Sequence, residues 1–391
     1  MRRAMELALG DRLRELVDAG PAPATTPFTP LDPSAYTDAD RHRDEVAAIA
    51  ASPVAALATS ELAGPGDFVT VELAGVPIVV TRDRDGQVHA MRNVCAHRGA
   101  TVETRESGSA RIFSCGFHGW SYELDGSLRA VADAGLYSTE PCTEGLRRLA
   151  CEERHGIVWV TPDADAPAES VATWLGDEVD ELLAELGLGR MVHHAAVDYD
   201  LRCNWKLLTD GFLELYHLKY LHRSSIAPYF PANLIATAPA GDHFVGWLPK
   251  NRLVKELTET PRDDWQVLAH VTGAIVLVPG TVVQWQAGHV ELFSLRPDPN
   301  DPTRSTARLT MLVPADRADE TELWDRNWER VNVTIPDEDF AAAVDVQRNI
   351  DAGAVDEIRL GANERFIRRH LDAVRERCRQ LGRHATPVAV R

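Results

Sequence analysis

From Phe68 onward the chain falls into short apolar runs separated by turns: Phe68 to Leu73, Ile78 to Thr81, Val88 to Arg92, Ile112 to Ser114 and Trp120 to Leu124. Asp85-Gly86 and Asp125-Gly126 stand between such runs, where a tight hairpin needs the left-handed backbone that these pairs favour. The pattern predicts a small antiparallel β domain over 51–165, closing near a strand at Gly156 to Thr161. A stretch rich in Asp, Ala and Pro, Pro162 to Ala168, then interrupts it. Beyond the break, 166–391 mixes strand-like runs at Ala274 to Val278, Val282 to Gln286, Val290 to Leu295 and Ala307 to Val313 with helical stretches near 204–222, 337–350 and 361–381. Strands and helices grouped in this way predict an α+β fold with an antiparallel sheet rather than alternating βαβ units. Residues 1–50 read as a polar helix and a linker rich in Pro and Thr, Pro21 to Pro33, forming an arm without a core of its own.

Composition narrows the functions open to such a chain. With 391 residues, 45% of them hydrophobic, it is long enough for two separate cores. A formal charge of -18 argues against a broad nucleic-acid or anionic-membrane surface, because phosphate binding depends on clustered Lys and Arg. Small molecules and protein partners remain. The first twenty residues interleave charges with Leu, and no later run reaches the length of a spanning helix, so a cytoplasmic protein is expected. Neither GxGxxG nor GxxxxGK[ST] occurs, and the chain shows no nicotinamide or flavin site of its own.

Six cysteines in so long a chain do not make a disulfide framework. Cys142, Cys151, Cys203 and Cys378 lack metal-ligand spacing and read as ordinary thiols. Cys95-Ala96-His97-Arg98-Gly99 and Cys115-Gly116-Phe117-His118-Gly119-Trp120 are different: they form C-x-H, seventeen intervening residues, then C-x-x-H. Two thiolates and two imidazoles on paired loops suit either tetrahedral zinc or a mixed-ligand iron–sulfur cluster. Each loop supplies one Cys and one His, so the cysteines can hold one iron and the histidines another, and neutral imidazoles in place of thiolates raise the cluster's reduction potential.

Asn204 to His222 reads as an amphipathic helix on which Asp210, Glu214 and His217 share an arc of roughly 60°. His222 lies roughly 140° around an ideal helix from His217. If both bind one ion, the helix must end, loosen or bulge between them, and such irregularities recur at functional sites.

These residues carry a resemblance. From Asn93 to about Leu128, with Arg-Gly after the first histidine and Gly-Trp after the second, the chain resembles the Rieske domain of aromatic-ring-hydroxylating oxygenases. Asn204-Trp205-Lys206 followed by D-x3-E-x2-H-x4-H resembles the mononuclear iron motif of the same family. The resemblance implies a small all-β Rieske domain and a larger helix-grip-like catalytic domain. It implies a [2Fe-2S] cluster with Cys95 and Cys115 on the buried iron and His97 and His118 on the exposed one. It implies a mononuclear ferrous ion held by His217, His222 and a distant aspartate; Pro336-Asp337-Glu338-Asp339 with Gln347 eight residues on selects Asp339 over Asp337 and Asp345. Asp210 is expected to support an iron histidine. Glu214 is expected to link a cluster histidine to an iron histidine across a subunit boundary. An aspartate is commoner there, and the glutamate is similar to the subgroup that oxidises quaternary ammonium compounds.

The family works as a head-to-tail ring, usually a trimer or a multiple of it. Electrons come from NADH or NADPH through a separate reductase, with or without a ferredoxin, and O2 is co-substrate. Phe212, Leu218 and Leu221 flank the ligands as candidate pocket residues, whereas Trp247, Trp265, Trp285 and Phe293 read as core by default and otherwise as a cage for a cation. The expected function is mono- or dioxygenation, or oxidative dealkylation, of a small organic substrate, aromatic in the family's main line. A carnitine- or choline-like monooxygenase is the alternative, and an electron carrier that has lost its second iron or a zinc-stabilised binding module are the readings from other classes.

Overall fold

The computed structural model describes residues 1–20, 28–136, 143–167 and 169–382; Cys142 lies outside them. The chain divides into two compact units, Ile49–Trp174 and a second made of Met1–Ala48 with Leu175–Arg391.

The smaller unit is built on an antiparallel sheet in the order Val54–Ala58, Ile157–Thr161, Arg148–Arg154, Val88–Arg92, Val76–Arg82, Asp67–Leu73 and Ser107–Ser109. A second sheet carries Phe113–Ser114, Ser121–Tyr122 and Leu128–Ala130. Asp85-Gly86 and Asp125-Gly126 occupy the hairpin positions expected, with Gly86 at φ 82° and Gly126 at φ 83°. Between the sheets lies a core of Phe68, Val79, Met91, Phe113, Tyr122 and Leu146 that also encloses Cys95 and Cys115. Both ligand loops are therefore rooted in packed structure rather than hanging from a surface.

The larger unit is a seven-stranded antiparallel sheet ordered Met191–Leu201, Ser305–Pro314, Val290–Pro297, Thr281–Trp285, Val271–Leu277, His243–Pro249 and Ala236–Ala240. The central strands Val271–Leu277 and Val290–Pro297 are buried along their whole length, because helices cover the face that would otherwise be wet. One cover is the helix Trp205–Leu213, which packs on both of those strands and on the long helix Arg365–Gly382. Another is Thr321–Thr334, which runs through a six-residue π-helical stretch, Ile335–Phe340, into the helix Ala341–Asp351.

The arm expected at residues 1–50 is not one. Helix Arg3–Ala19 buries Leu7, Gly10 and Leu13, a stripe at i, i+3 and i+6, against Asn251–Glu259 and Val267–Ala269. A Cβ at Gly10 would come within 2.7 Å of the Trp265 ring, so the glycine lets the two surfaces meet. Strand Thr29–Leu31 pairs with Ile358–Leu360, and Glu45 is buried against Lys206. This segment is part of the larger unit's core, and Trp265 packs there instead of facing a pocket.

Candidate metal centres

The two cysteine loops have the same backbone. Cys95 N–H donates to Ala100 O and Cys115 N–H to Trp120 O, each at 2.8 Å; Gly99 N–H returns to Cys95 O and Gly119 N–H to Cys115 O, each at 3.0 Å. The fifth residue of each turn is left-handed, Gly99 at φ 79° and Gly119 at φ 71°, which explains glycine four residues after each cysteine. Asn93 fastens the first loop: its Nδ2 donates to Glu103 O at 2.7 Å and its Oδ1 accepts from Glu103 N at 2.9 Å.

The loops bring the His97 and His118 rings to 4.7 Å between centroids, with His97 stacked 4.9 Å from Trp120. Both cysteines are buried and both histidines half-buried. Cys95 Sγ lies 3.0 Å from the Tyr122 hydroxyl, whose pKa burial pushes up, with Cys95 adding to the shift. Among the described residues His118 Nδ1 is buried without a hydrogen-bond partner, a costly state for a ring nitrogen unless something else meets it. Two buried sulfurs, two adjacent imidazoles and this unpartnered nitrogen fit a [2Fe-2S] cluster with mixed ligands.

The second centre starts from Asn204, whose side chain caps helix Trp205–Leu213 by accepting from Lys206 N at 3.0 Å. Asn204 N–H donates to Gln347 Oε1 at 2.9 Å, and Asn204 Nδ2 donates to Tyr36 O and Pro302 O. The capping residue thus ties the segment bearing His217 and His222 to the helix that follows Asp339, a physical reason for Gln347. Lys206 enters the interior and pairs with Glu45; burial lowers its pKa and Glu45 partly restores it.

The helix ends at Leu213, and Glu214 is extended at φ -140°, ψ 165°. A short turn, Leu218–Leu221, follows between the two histidines. The interruption that the His217–His222 spacing demands is present, and the single helical face for Asp210, Glu214 and His217 is not. His217 and His222 face each other at 5.1 Å between ring centroids. Asp339 Oδ1 lies 3.6 Å from His217 Nε2 and 3.2 Å from His222 Nε2. One ligand atom from each of the three falls within 4.8 Å of the others, and Asp339 Oδ2 is buried with no hydrogen-bond partner among the described residues. Two imidazoles and one carboxylate converging on one point fit a divalent iron with open positions. Asp337 and Asp345 are both exposed, and Asp345 pairs with Arg348.

Each histidine has its own carboxylate. Glu214 Oε1 meets His217 Nδ1, while its Oε2 accepts from the backbone of Tyr216 and His217. Glu338 Oε2 meets His222 Nδ1 at 2.5 Å and accepts from Ser225 Oγ at 2.7 Å. Sequence reasoning missed Glu338; its only signal is its place beside Asp339, and the π turn that aims neighbouring side chains at one site has no sequence signature beyond Pro336. Asp210 supports neither histidine. Its Oδ2 accepts from Tyr36 Oη at 2.7 Å, its Oδ1 is buried with no partner among the described residues, and burial pushes its carboxyl up to about 7.

A cavity of about 560 Å³ opens at the triad, with Phe212, Leu218 and Leu221 in its wall alongside His217, His222 and Asp339. Trp247 lies against Gly273, and Trp285 donates to Leu268 O, both away from the lining; Phe293 backs Phe212 at 4.9 Å. No aromatic cage is formed by these residues.

Comparison with known proteins follows the same division. The Rieske [2Fe-2S] domain matches residues 52–138, and the ring hydroxylating alpha subunit (catalytic domain) matches 188–380. The large subunit of anthranilate 1,2-dioxygenase from Acinetobacter baylyi is 33% identical over 174 residues, covering 43% of this chain and 37% of that protein. Chloroplastic choline monooxygenase of Beta vulgaris is 32% identical over 171 residues, covering 43% and 37%. The matched part thus spans well under half of these relatives' length.

Two solved structures share the fold over most of both chains. The quaternary ammonium Rieske monooxygenase CntA with L-carnitine has a TM-score of 0.70 at 22% identity, covering 88% of this chain and 95% of that one. Naphthalene 1,2-dioxygenase from Rhodococcus sp. with indole has a TM-score of 0.74 at 18% identity, covering 95% and 98%. The order of the two matched domains is the order in which the two metal constellations occur, and the chain belongs to the Rieske ring-hydroxylating oxygenase alpha-subunit family.

Proposed function

We propose that this chain is the terminal oxygenase of a multicomponent system that uses O2 and electrons from a NAD(P)H-dependent reductase to oxidise a small organic substrate. One observation carries the reading: the His217–His222–Asp339 triad opens on a largely apolar cavity, in a chain that also carries complete Rieske ligand loops. Cys95, His97, Cys115 and His118 would hold the cluster, and the triad the iron; when bound, they supply single electrons and a site for dioxygen. Glu214 and Glu338 fix the ring orientations of His217 and His222. Phe212, Leu218 and Leu221 present an apolar surface to the substrate and keep bulk water from the reacting position. An electron carrier without a second iron would have no use for an intact triad at the wall of a cavity.

The partners belong to the same proposal. Glu214 reaches His217 within the chain, and a ring of subunits, a trimer or a multiple of it, would let its carboxylate also face a cluster histidine of the next subunit. A reductase and a ferredoxin would dock on the acidic surface. Among the described residues no helix is long and apolar enough to cross a membrane, and the proposal takes the cytoplasm, where thiols stay reduced, as the compartment.

A quaternary ammonium substrate is the second reading, favoured by Glu214 and by the likeness to carnitine- and choline-oxidising proteins. The test is O2 uptake and product analysis after chemical reduction of the cluster, across aromatic acids, neutral arenes and quaternary amines. Substrate-dependent uptake that disappears in His217→Ala while the cluster spectrum stays intact supports the proposal. Absence of uptake with every class overturns it.

A further inference from the structure

The cavity wall has a second polar set that the metal chemistry does not use. Facing strands align Ala274 with Gln284 and Gln284 with Glu291, and all three side chains line the cavity with Thr272, Gln286 and His289. Within this set Glu291 is already satisfied. Gln286 Nε2 donates to its Oε2 at 3.1 Å, and His289 Nε2 lies 3.4 Å from its Oε1. Thr272 Oγ1 in turn donates to Gln286 Oε1 at 3.1 Å, which fixes that amide.

The cations beside this network are not satisfied. Lys250 and Arg330 also line the cavity, and neither side chain has a hydrogen bond or ion pair among the described residues. Lys250 is half-buried and Arg330 exposed at the rim. Burial lowers the Lys250 pKa, and Arg330 lowers it further against the pull of Glu291. Gln284 Oε1 is buried without a partner among the described residues, and an amide can turn either its acceptor or its donors to an occupant. With Glu291 counted against Lys250, Arg330 leaves this part of the wall net positive. The other carboxylates of the cavity are Asp210, which accepts from Tyr36, and Glu214 and Asp339, which are engaged with iron-site histidines. A cation entering at this part of the wall meets Lys250 and Arg330, and the carboxylate beside them, Glu291, is already held by Gln286 and His289.

We infer that Lys250, with Arg330 and Gln284, forms a carboxylate subsite, and that the substrate is an organic acid whose apolar body lies against Phe212, Leu218 and Leu221. This rests on the oxygenase reading of the same cavity and selects, within it, an acid over a quaternary amine. A carboxylate recovers charge-assisted hydrogen bonds from donors that otherwise have none.

The test compares three probes of similar shape and different charge, benzoate, benzamide and phenyltrimethylammonium, by anaerobic calorimetric titration of the intact protein. Benzoate is expected to bind at least about tenfold tighter than either of the others, the size of one charge-assisted hydrogen bond. Lys250→Gln should abolish the preference and Lys250→Arg retain it, with the cluster absorbance unchanged in both. Tightest binding of phenyltrimethylammonium, a preference that survives Lys250→Gln, or no benzoate binding at millimolar concentration would overturn the inference. Because these titrations involve no turnover, they separate the two claims: oxidation of neutral arenes without a charge preference sinks only the subsite, and a charge preference without O2 uptake sinks only the oxygenase.

Discussion

Glu338 offers the most exposed point of the iron-site argument, because it lies beside a ligand without being one. His222 is only 2% exposed, and its Nδ1 has Glu338 Oε2 at 2.5 Å as partner. Glu338→Ala leaves a buried N–H without an acceptor, a cost of about 1–3 kcal/mol, and frees the ring to rotate away from Asp339. Loss of such an outer carboxylate typically weakens metal binding by about 10–100-fold, or about 1.4–2.7 kcal/mol. Glu338→Gln keeps an acceptor but gives up its charge, so the loss should fall near the lower end. Ser225→Ala removes one donor to the carboxylate and leaves the His222 contact in place, so its effect should be smaller than either. The assay is anaerobic competition for ferrous or cobaltous ion between the protein and a chelator, with cluster absorbance as the internal standard. Metal affinity in Glu338→Ala within about twofold of wild type would refute the orienting role.

Three further outcomes follow from buried polar groups. Lys206→Met should lower stability by about 3–5 kcal/mol by stranding Glu45, whereas Lys206→Met with Glu45→Leu should recover most of it; urea titration compares the two, and equal losses would contradict a coupled pair. His370 is fully buried, and burial pushes its pKa down to about 4 from an ordinary value of 6.5. The unfolded chain therefore takes up the proton first, so stability present above pH 6.5 falls as pH drops toward 4, by up to about 3 kcal/mol; His370→Phe should flatten that decline in pH-dependent unfolding, and an unchanged decline would exclude His370 as its source. Glu214→Gln should keep both metals yet suppress single-turnover oxidation of a pre-reduced cluster, because an amide weakens the bond to His217 while preserving shape; normal product yield would show that Glu214 does not couple the centres.

What the sequence disclosed was what lies close together along it. Cys95 with His97, Cys115 with His118, and His217 with His222 are local pairs, and the required break between the last two followed from helical geometry alone. Hairpin glycines and central strands were legible for the same reason. The edge strand Met191–Leu201 was not, because an interleaved run of His, Asp and Ala only half-buried in the fold lacks an apolar pattern. Helix Arg3–Ala19 reads as part of a polar arm because three buried positions, one of them Gly10, suffice to seat it. The face that an unbroken helix would give Asp210, Glu214 and His217 does not form, because the chain leaves the helix at Leu213. Glu338 and the set around Lys250 come together only through the π turn and strand register, and no local spacing encodes either.

The central claim is that one chain holds a Rieske cluster and a separate iron at His217, His222 and Asp339. Iron and acid-labile sulfide in anaerobically purified wild type, measured beside His222→Ala with the reduced-state EPR spectrum of each, test it most directly. The account predicts about three irons and about two sulfides per wild-type chain, with one iron lost and the cluster signal unchanged in the variant. Colourless protein containing zinc, or a variant that keeps all its iron, would contradict it.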